Sequence, residues 1–144
     1  MQNRFKTCLL SALVLCAPLM FAQQNVPQLS FDSVPNYPSL PPGMNFGEVP
    51  GVAVNSKGHV FVFTRSNSAN GPAYGPAAAQ LLEFGPKGEF IREIGKGLYG
   101  WSFAHTVRID KDDNIWAVDE GTDTIVKFNQ EGRIVMTIGR RNDP

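Results

Sequence analysis

One arginine and two histidines stand where chemistry is possible. Arg65 closes the hydrophobic stretch HVFVFTR, directly before the run SNSANGPAYGPAAA. A guanidinium there could hold a substrate carboxylate through two parallel hydrogen bonds; an edge-strand charge facing water is the plainer reading. His105 sits in WSFAHTVRID, between apolar residues and ahead of alternating strand positions. It could ligate a metal, or serve as a satisfied structural histidine. His59 follows Lys57-Gly58 and reads as an exposed, idle turn residue. Two acidic runs are weaker candidates. Asp110-Lys111-Asp112-Asp113 lacks the spacing of a calcium loop and reads as a turn. Asp119, Glu120 and Asp123 read as a loop satisfied by local hydrogen bonds.

The elements that must hold these residues repeat. Val52 and Val54 alternate, Asn55-Ser56-Lys57-Gly58 turns, and Val60-Phe61-Val62-Phe63 resumes, which predicts a hairpin. A second hairpin is predicted from Leu81 to Ile94 around Gly85-Pro86-Lys87-Gly88. Residues 105–139 write the same pattern again. Val52 matches Val107 at a shift of 55, whereas Phe84 matches Phe128 and Gly95 matches Gly139 at a shift of 44. The 11-residue difference falls in the insertion 66–79, either a loop grown to line a site or a surface excursion.

Each unit therefore predicts four short strands, near 51–55, 59–64, 80–85 and 89–94, then 105–110, 114–119, 124–129 and 133–138. No segment predicts an amphipathic helix. The fold class is all-β: two four-stranded antiparallel blades of a β-propeller, with a β-sandwich as the alternative. A closed propeller takes at least about four blades, so two units predict the first part of a longer protein. A blade left without its neighbour would expose apolar surface, with Ile115, Trp116, Val118 and Phe128 as candidates.

Ahead of the repeats, Arg4 and Lys6 precede an apolar run from Cys8 to Met20, followed by Ala22 and Gln23. This order predicts a signal peptide over 1–22 and a secreted or periplasmic protein, with a retained anchor as the alternative. The run is short for a membrane span. Both cysteines lie in it, so the mature chain would hold no disulfide. Losing Arg4 and Lys6 leaves 11 basic side chains against 13 acidic, which argues against nucleic acid or anionic membrane as partner. Residues 23–50 carry six prolines and predict an extended arm, with Leu29, Phe31, Tyr37, Leu40 and Phe46 as anchors.

The two units, 51–95 and 105–139, resemble NHL-type repeats. More narrowly, GVAVNSKGHVFVFTR, the insertion, LLEFGPKGEFIREIGKGLYGWSFAHTVRIDKDDNIWAVD and IVKFNQEGRIVMTIGR resemble the start of the peptidyl-α-hydroxyglycine α-amidating lyase family. The resemblance covers most of residues 43–141. It implies a six-bladed propeller that cleaves a peptide ending in α-hydroxyglycine into peptide amide and glyoxylate. It implies Arg65 as catalytic, His105 as a zinc ligand, and the backbone carbonyls of Val52 and Val107 as ligands of a structural calcium. Thr64 stands where the family has a histidine, and the neighbours of His105 differ from the family's Pro-His-Gly-Leu. The remaining zinc ligands, a tyrosine and an acidic calcium ligand would lie beyond Pro144. Two alternatives are a non-enzymatic propeller that binds a protein or small ligand and a propeller enzyme acting on another small metabolite.

Overall fold

A computed structural model describes residues 27–66, 71–73, 75 and 78–141. The expected signal peptide with Cys8 and Cys16, and Tyr74 and Pro76 of the insertion, lie outside the described residues. Eight strands follow in order: β1 Gly51–Val54, β2 Val60–Thr64, β3 Gln80–Phe84, β4 Phe90–Ile94, β5 Ala104–Ile109, β6 Ile115–Asp119, β7 Thr124–Phe128 and β8 Ile134–Gly139. Each boundary lies within one residue of the sequence expectation. The chain is all-β, and no helix occurs among the described residues.

Two antiparallel sheets result, ordered β1-β2-β3-β4 and β5-β6-β7-β8. Short turns explain the meander. Asn55 Oδ1 accepts the main-chain N–H groups of Lys57 and His59, and Asp110 Oδ1 accepts those of Asp112 and Asn114. The fourth turn residue is left-handed each time: Gly58, Gly88, Gly132 and, without a glycine, Asp113 at φ 59°. The third and fourth strands slip register at the same place in both sheets, at Glu83/Phe84 and at Lys127/Phe128.

Cross-strand partners assign two faces to each sheet, because directly opposed residues point the same way. In the first sheet Phe61 opposes Glu83 and Phe63 opposes Leu81, which defines a front face. Val60 opposes Phe84 and Val62 opposes Leu82, which defines a back face. In the second sheet the back face carries Ile115, Ala117, Val126 and Phe128. One core joins the front of the first sheet to the back of the second: Phe61, Phe63, Leu81 and Ile94 pack with Val107, Ile115, Ala117, Val126 and Phe128. Trp101 sits between Phe63 and Phe128, with ring centroids 4.8 and 6.0 Å away.

The sheets approach closest at their first strands. A Cβ on Gly51 would lie 2.7 Å from the Val107 nitrogen. Polar ties fix the stacking. Ser56 N–H and Oγ donate to Asp113 at 2.9 and 2.5 Å. Arg92 donates to the Glu131 and Gln130 carbonyls, both at 2.7 Å.

Residues 37–46 cover part of the back of the first sheet. Leu40, Met44 and Phe46 pack on Val60, Val62, Leu82 and Phe84. Ser39 N–H donates to the Gly88 carbonyl, and the Tyr37 ring lies over Gly88. Leu29 and Phe31, expected as anchors, are exposed. For the uncovered face of the second sheet, the expectation holds for two of its four residues. Ile115 and Phe128 are fully buried, and Trp116 and Val118 are half-buried. Neighbouring strand residues cannot share a face: Trp116 and Val118 lie on the open front with Ile125, Met136 and Ile138, as expected, whereas Ile115 and Phe128 lie on the back.

Candidate functional site

Arg65 leaves β2, His105 stands near the start of β5, and Glu120 directly follows β6. The three meet where the two sheets come together. His105 Nδ1 lies 3.3 Å from Glu120 Oε2, and Arg65 Nη2 lies 3.9 Å from the same oxygen. The His105 and Glu120 side chains are both more than half exposed. Glu120 N–H donates to the Phe103 carbonyl, which fixes the loop that carries it.

Arg65 does not face water as an edge-strand charge would. Its Nε donates to the Ala104 carbonyl at 2.9 Å, and its Nη1 donates to Glu48 Oε2 at 2.7 Å. Its guanidinium carbon stands 3.6 Å over the Phe103 ring. The main chain adds to this, since Arg65 N–H and Thr64 Oγ1 both donate to the Glu48 carbonyl. Arg65 thus joins the arm to the loop that begins the second unit. Beside it, Glu48, Val49, Pro50 and Arg65 line a shallow cleft of about 340 Å³.

A buried carboxylate shapes the approach to His105. Asp119 accepts the N–H groups of Ser102 and Phe103, and also the N–H and hydroxyl of Thr122. A buried carboxylate persists only when its oxygens are satisfied in this way. Asp119 therefore holds the turn that delivers Ala104 and His105. The local hydrogen bonding expected of the Asp119 loop is present. Glu120 departs from it by turning its side chain to His105 and Arg65.

The described part of the insertion reaches the same region. Ala73 N–H donates to the Ser102 carbonyl at 3.2 Å, and a Cβ on Gly121 would meet Pro72. His59 is not idle. Its Nδ1 lies 2.7 Å from Glu83 Oε1, and the buried Glu83 also accepts Arg92 Nε at 2.6 Å. His59 and Arg65 stand at opposite ends of β2, so His59 belongs to the sheet-to-sheet tie and not to the cleft.

The Asp110 run is structural, as its turn pattern suggests. The Trp116 indole donor holds the Asp110 carboxyl well below the usual carboxylate range, against the opposing effect of desolvation; Asn114 and Lys127 add to the indole. The Ser56 hydroxyl and N–H lower Asp113 in the same direction.

His105 fits a single ligand position, because a carboxylate on Nδ1 orients the ring and leaves Nε2 as the metal-binding nitrogen. Among the described residues, no three His, Cys, Asp or Glu side chains converge to hold a metal ion. The Val107 carbonyl accepts Arg108 Nη1 at 3.0 Å, so a calcium ion on that oxygen would face a guanidinium. Val52 lies on the exposed stretch of β1, whereas the Val107 side chain is fully buried. Calcium takes six to eight oxygens, and these two carbonyls do not make a site by themselves.

Sequence reasoning named Arg65 and His105 but missed Glu48 and the part played by Glu120. Glu48 had no local signal, since it sits among prolines and glycines on the arm. No helix among the described residues is long and apolar enough to cross a membrane. No family model matches the sequence, and no curated protein matches it.

Proposed function

We propose that the two sheets are consecutive blades of an exported NHL-type β-propeller, and that the complete ring is a lyase similar to peptidyl-α-hydroxyglycine α-amidating lyase. One observation supports this reading above the others: Arg65 and His105 come from different sheets, yet both turn to the Glu120 carboxylate beside an open cleft.

In this reaction the C–N bond of the α-hydroxyglycine breaks and the hydroxyl oxygen becomes the aldehyde oxygen of glyoxylate. The hydroxyl proton leaves to a base in the further blades, and the departing amide nitrogen gains a proton. Arg65 binds the substrate carboxylate by exchanging it for Glu48, its present carboxylate partner. His105 is the residue of this chain that would hold zinc, oriented by Glu120. Zinc, when bound, supplies Lewis-acid activation of the hydroxyl. A catalytic zinc site takes three protein ligands; the resemblance assigns one of them, His105, to these residues, so residues 23–144 alone should release no glyoxylate. Calcium enters through the resemblance alone, and no step runs through it.

The test compares residues 23–144 with the full ring, both without the leader, for zinc stoichiometry and glyoxylate release from an α-hydroxyglycine peptide. The full ring should release glyoxylate, and His105→Ala should lower its zinc content. Unchanged zinc in His105→Ala removes His105 from the ligand set. An active short chain overturns the reading.

A non-enzymatic propeller that binds a protein or small ligand is the second reading. It is favoured by the engagement of Arg65 with Glu48, the Ala104 carbonyl and the Phe103 ring. Under it, Arg65→Ala lowers stability and the full ring releases no glyoxylate.

A further inference from the structure

A second cleft, of about 390 Å³, opens on the back of the second sheet at β7 and β8. The sheet contributes Val126 and Ile134 to it, and the segment joining β4 to β5 contributes Leu98 and Gly100. The two walls come close at one point, where a Cβ on Gly100 would stand 3.7 Å from Thr124 Oγ1. The back of this sheet is the side that already meets the first sheet. The cleft is therefore not a face that a further sheet of the same ring would cover.

The repeat shows which substitutions open it. At the shift of 44 residues, Val126 stands for Leu82 and Ile134 for Phe90, so the lining is smaller at two positions. In the first sheet Leu82 and Phe90 belong to the packed cluster that Leu40, Met44 and Phe46 complete. The charge changes as well. Thr137 faces Val126 across the ladder where Glu93 faces Leu82. Arg140 stands for Lys96, and Arg141 for Gly97. The cleft thus has two guanidinium groups and no carboxylate among its lining residues. Arg141 ties the walls together: its Nη1 donates to the Tyr99 carbonyl at 2.7 Å, and its guanidinium carbon lies 3.9 Å from the centre of the Tyr99 ring. Arg140 and Thr137 are exposed.

We propose that this cleft binds a small amphipathic carboxylate, its apolar chain against Leu98, Val126 and Ile134 and its carboxylate on Arg140 and the Thr137 hydroxyl. An apolar lining with a few polar groups at fixed places is the usual make-up of a small-molecule site. The guanidinium selects an anion through charge-assisted hydrogen bonds, and the absence of a lining carboxylate removes the repulsion that Glu93 would supply at the sister position. The cleft shares no residue with the one beside Arg65, and the proposal does not depend on the lyase reading.

The test titrates the full chain with octanoate, and separately with 1-octanol and acetate as its apolar and anionic halves. Amide shifts of Leu98, Gly100 and Arg140 are followed by NMR. Octanoate should shift them saturably, and each half should bind at least about tenfold more weakly. Arg140→Ala should weaken octanoate about tenfold. Thr137→Glu and Ile134→Phe each restore the first sheet's residue at an exposed position and should abolish binding, one by repulsion and the other by filling the space. A native circular dichroism spectrum is required of every variant, and the two restorations act independently, so one suffices if the other misfolds.

Octanoate that leaves these amides unmoved overturns the proposal. So does 1-octanol binding as tightly as octanoate, which would make the site apolar only, or acetate doing so, which would make it a simple anion site. Undiminished octanoate affinity in Thr137→Glu overturns it as well. None of these outcomes reads zinc or glyoxylate, so the lyase reading stands or falls separately.

Discussion

Asp113 gives both carboxylate oxygens to Ser56, on the corresponding turn of the other sheet, at 2.9 and 2.5 Å. Asp113 holds the left-handed position that glycine fills in the three sister turns. Its side chain does what glycine cannot, which is to join the two turns. Ser56→Ala removes the hydroxyl donor that most lowers the Asp113 carboxyl. The Asp113 titration, followed by carboxyl NMR, should move upward toward the ordinary range. An unmoved titration would show that the bond is not formed in solution.

Acid sensitivity should trace to Asp110. Its folded pKa is depressed, chiefly by the Trp116 indole. A depressed carboxyl contributes stability that is fully present above its unfolded value, about 3.9, and is lost as pH falls through the folded value. Asp110→Asn should therefore be less stable than the parent at pH 7, and the gap should narrow below about pH 4. Urea midpoints at both pH values check this. A gap that stays constant or widens in acid would contradict it.

Burial on the shared core and exposure on the open front should separate two apolar substitutions. Phe128 is fully buried against the first sheet, and its truncation to alanine should cost about 3–5 kcal/mol. Ile138→Thr, on the uncovered face, should stay within about 0.5 kcal/mol in the monomer. Denaturant unfolding at low protein concentration measures both. Equal costs would mean that the front is covered in solution.

Gly51 has no room for a side chain. A Cβ there would meet the Val107 nitrogen at 2.7 Å and the Thr106 Cα at 2.9 Å, both main-chain atoms. Gly51→Ala should force the first strands apart and destabilise by about 1–3 kcal/mol. Because β5 carries His105, amide shifts should spread from residue 51 to 104–107. Shifts confined to β1 would argue against this close approach.

The strands, their order and their two-sheet organisation were written in the sequence. Alternation of Val and Phe about Asn-Ser-Lys-Gly, repeated at fixed offsets, determines which segments pair, because the strand period and turn chemistry are local. Arg65 and His105 were legible for the same reason, as polar residues at the ends of apolar strands. Which face of each sheet is covered was decided only by the tertiary structure. Ile115 and Trp116 are neighbours and both large, largely apolar side chains, yet one faces the first sheet and the other faces away. Register fixes their parity, but the side on which the neighbouring sheet lies depends on contacts between distant residues. The cleft follows the same rule. Glu48 comes from a proline-rich arm, Arg65 from the first sheet and Glu120 from the second, and only their folding together brings two carboxylates to one guanidinium.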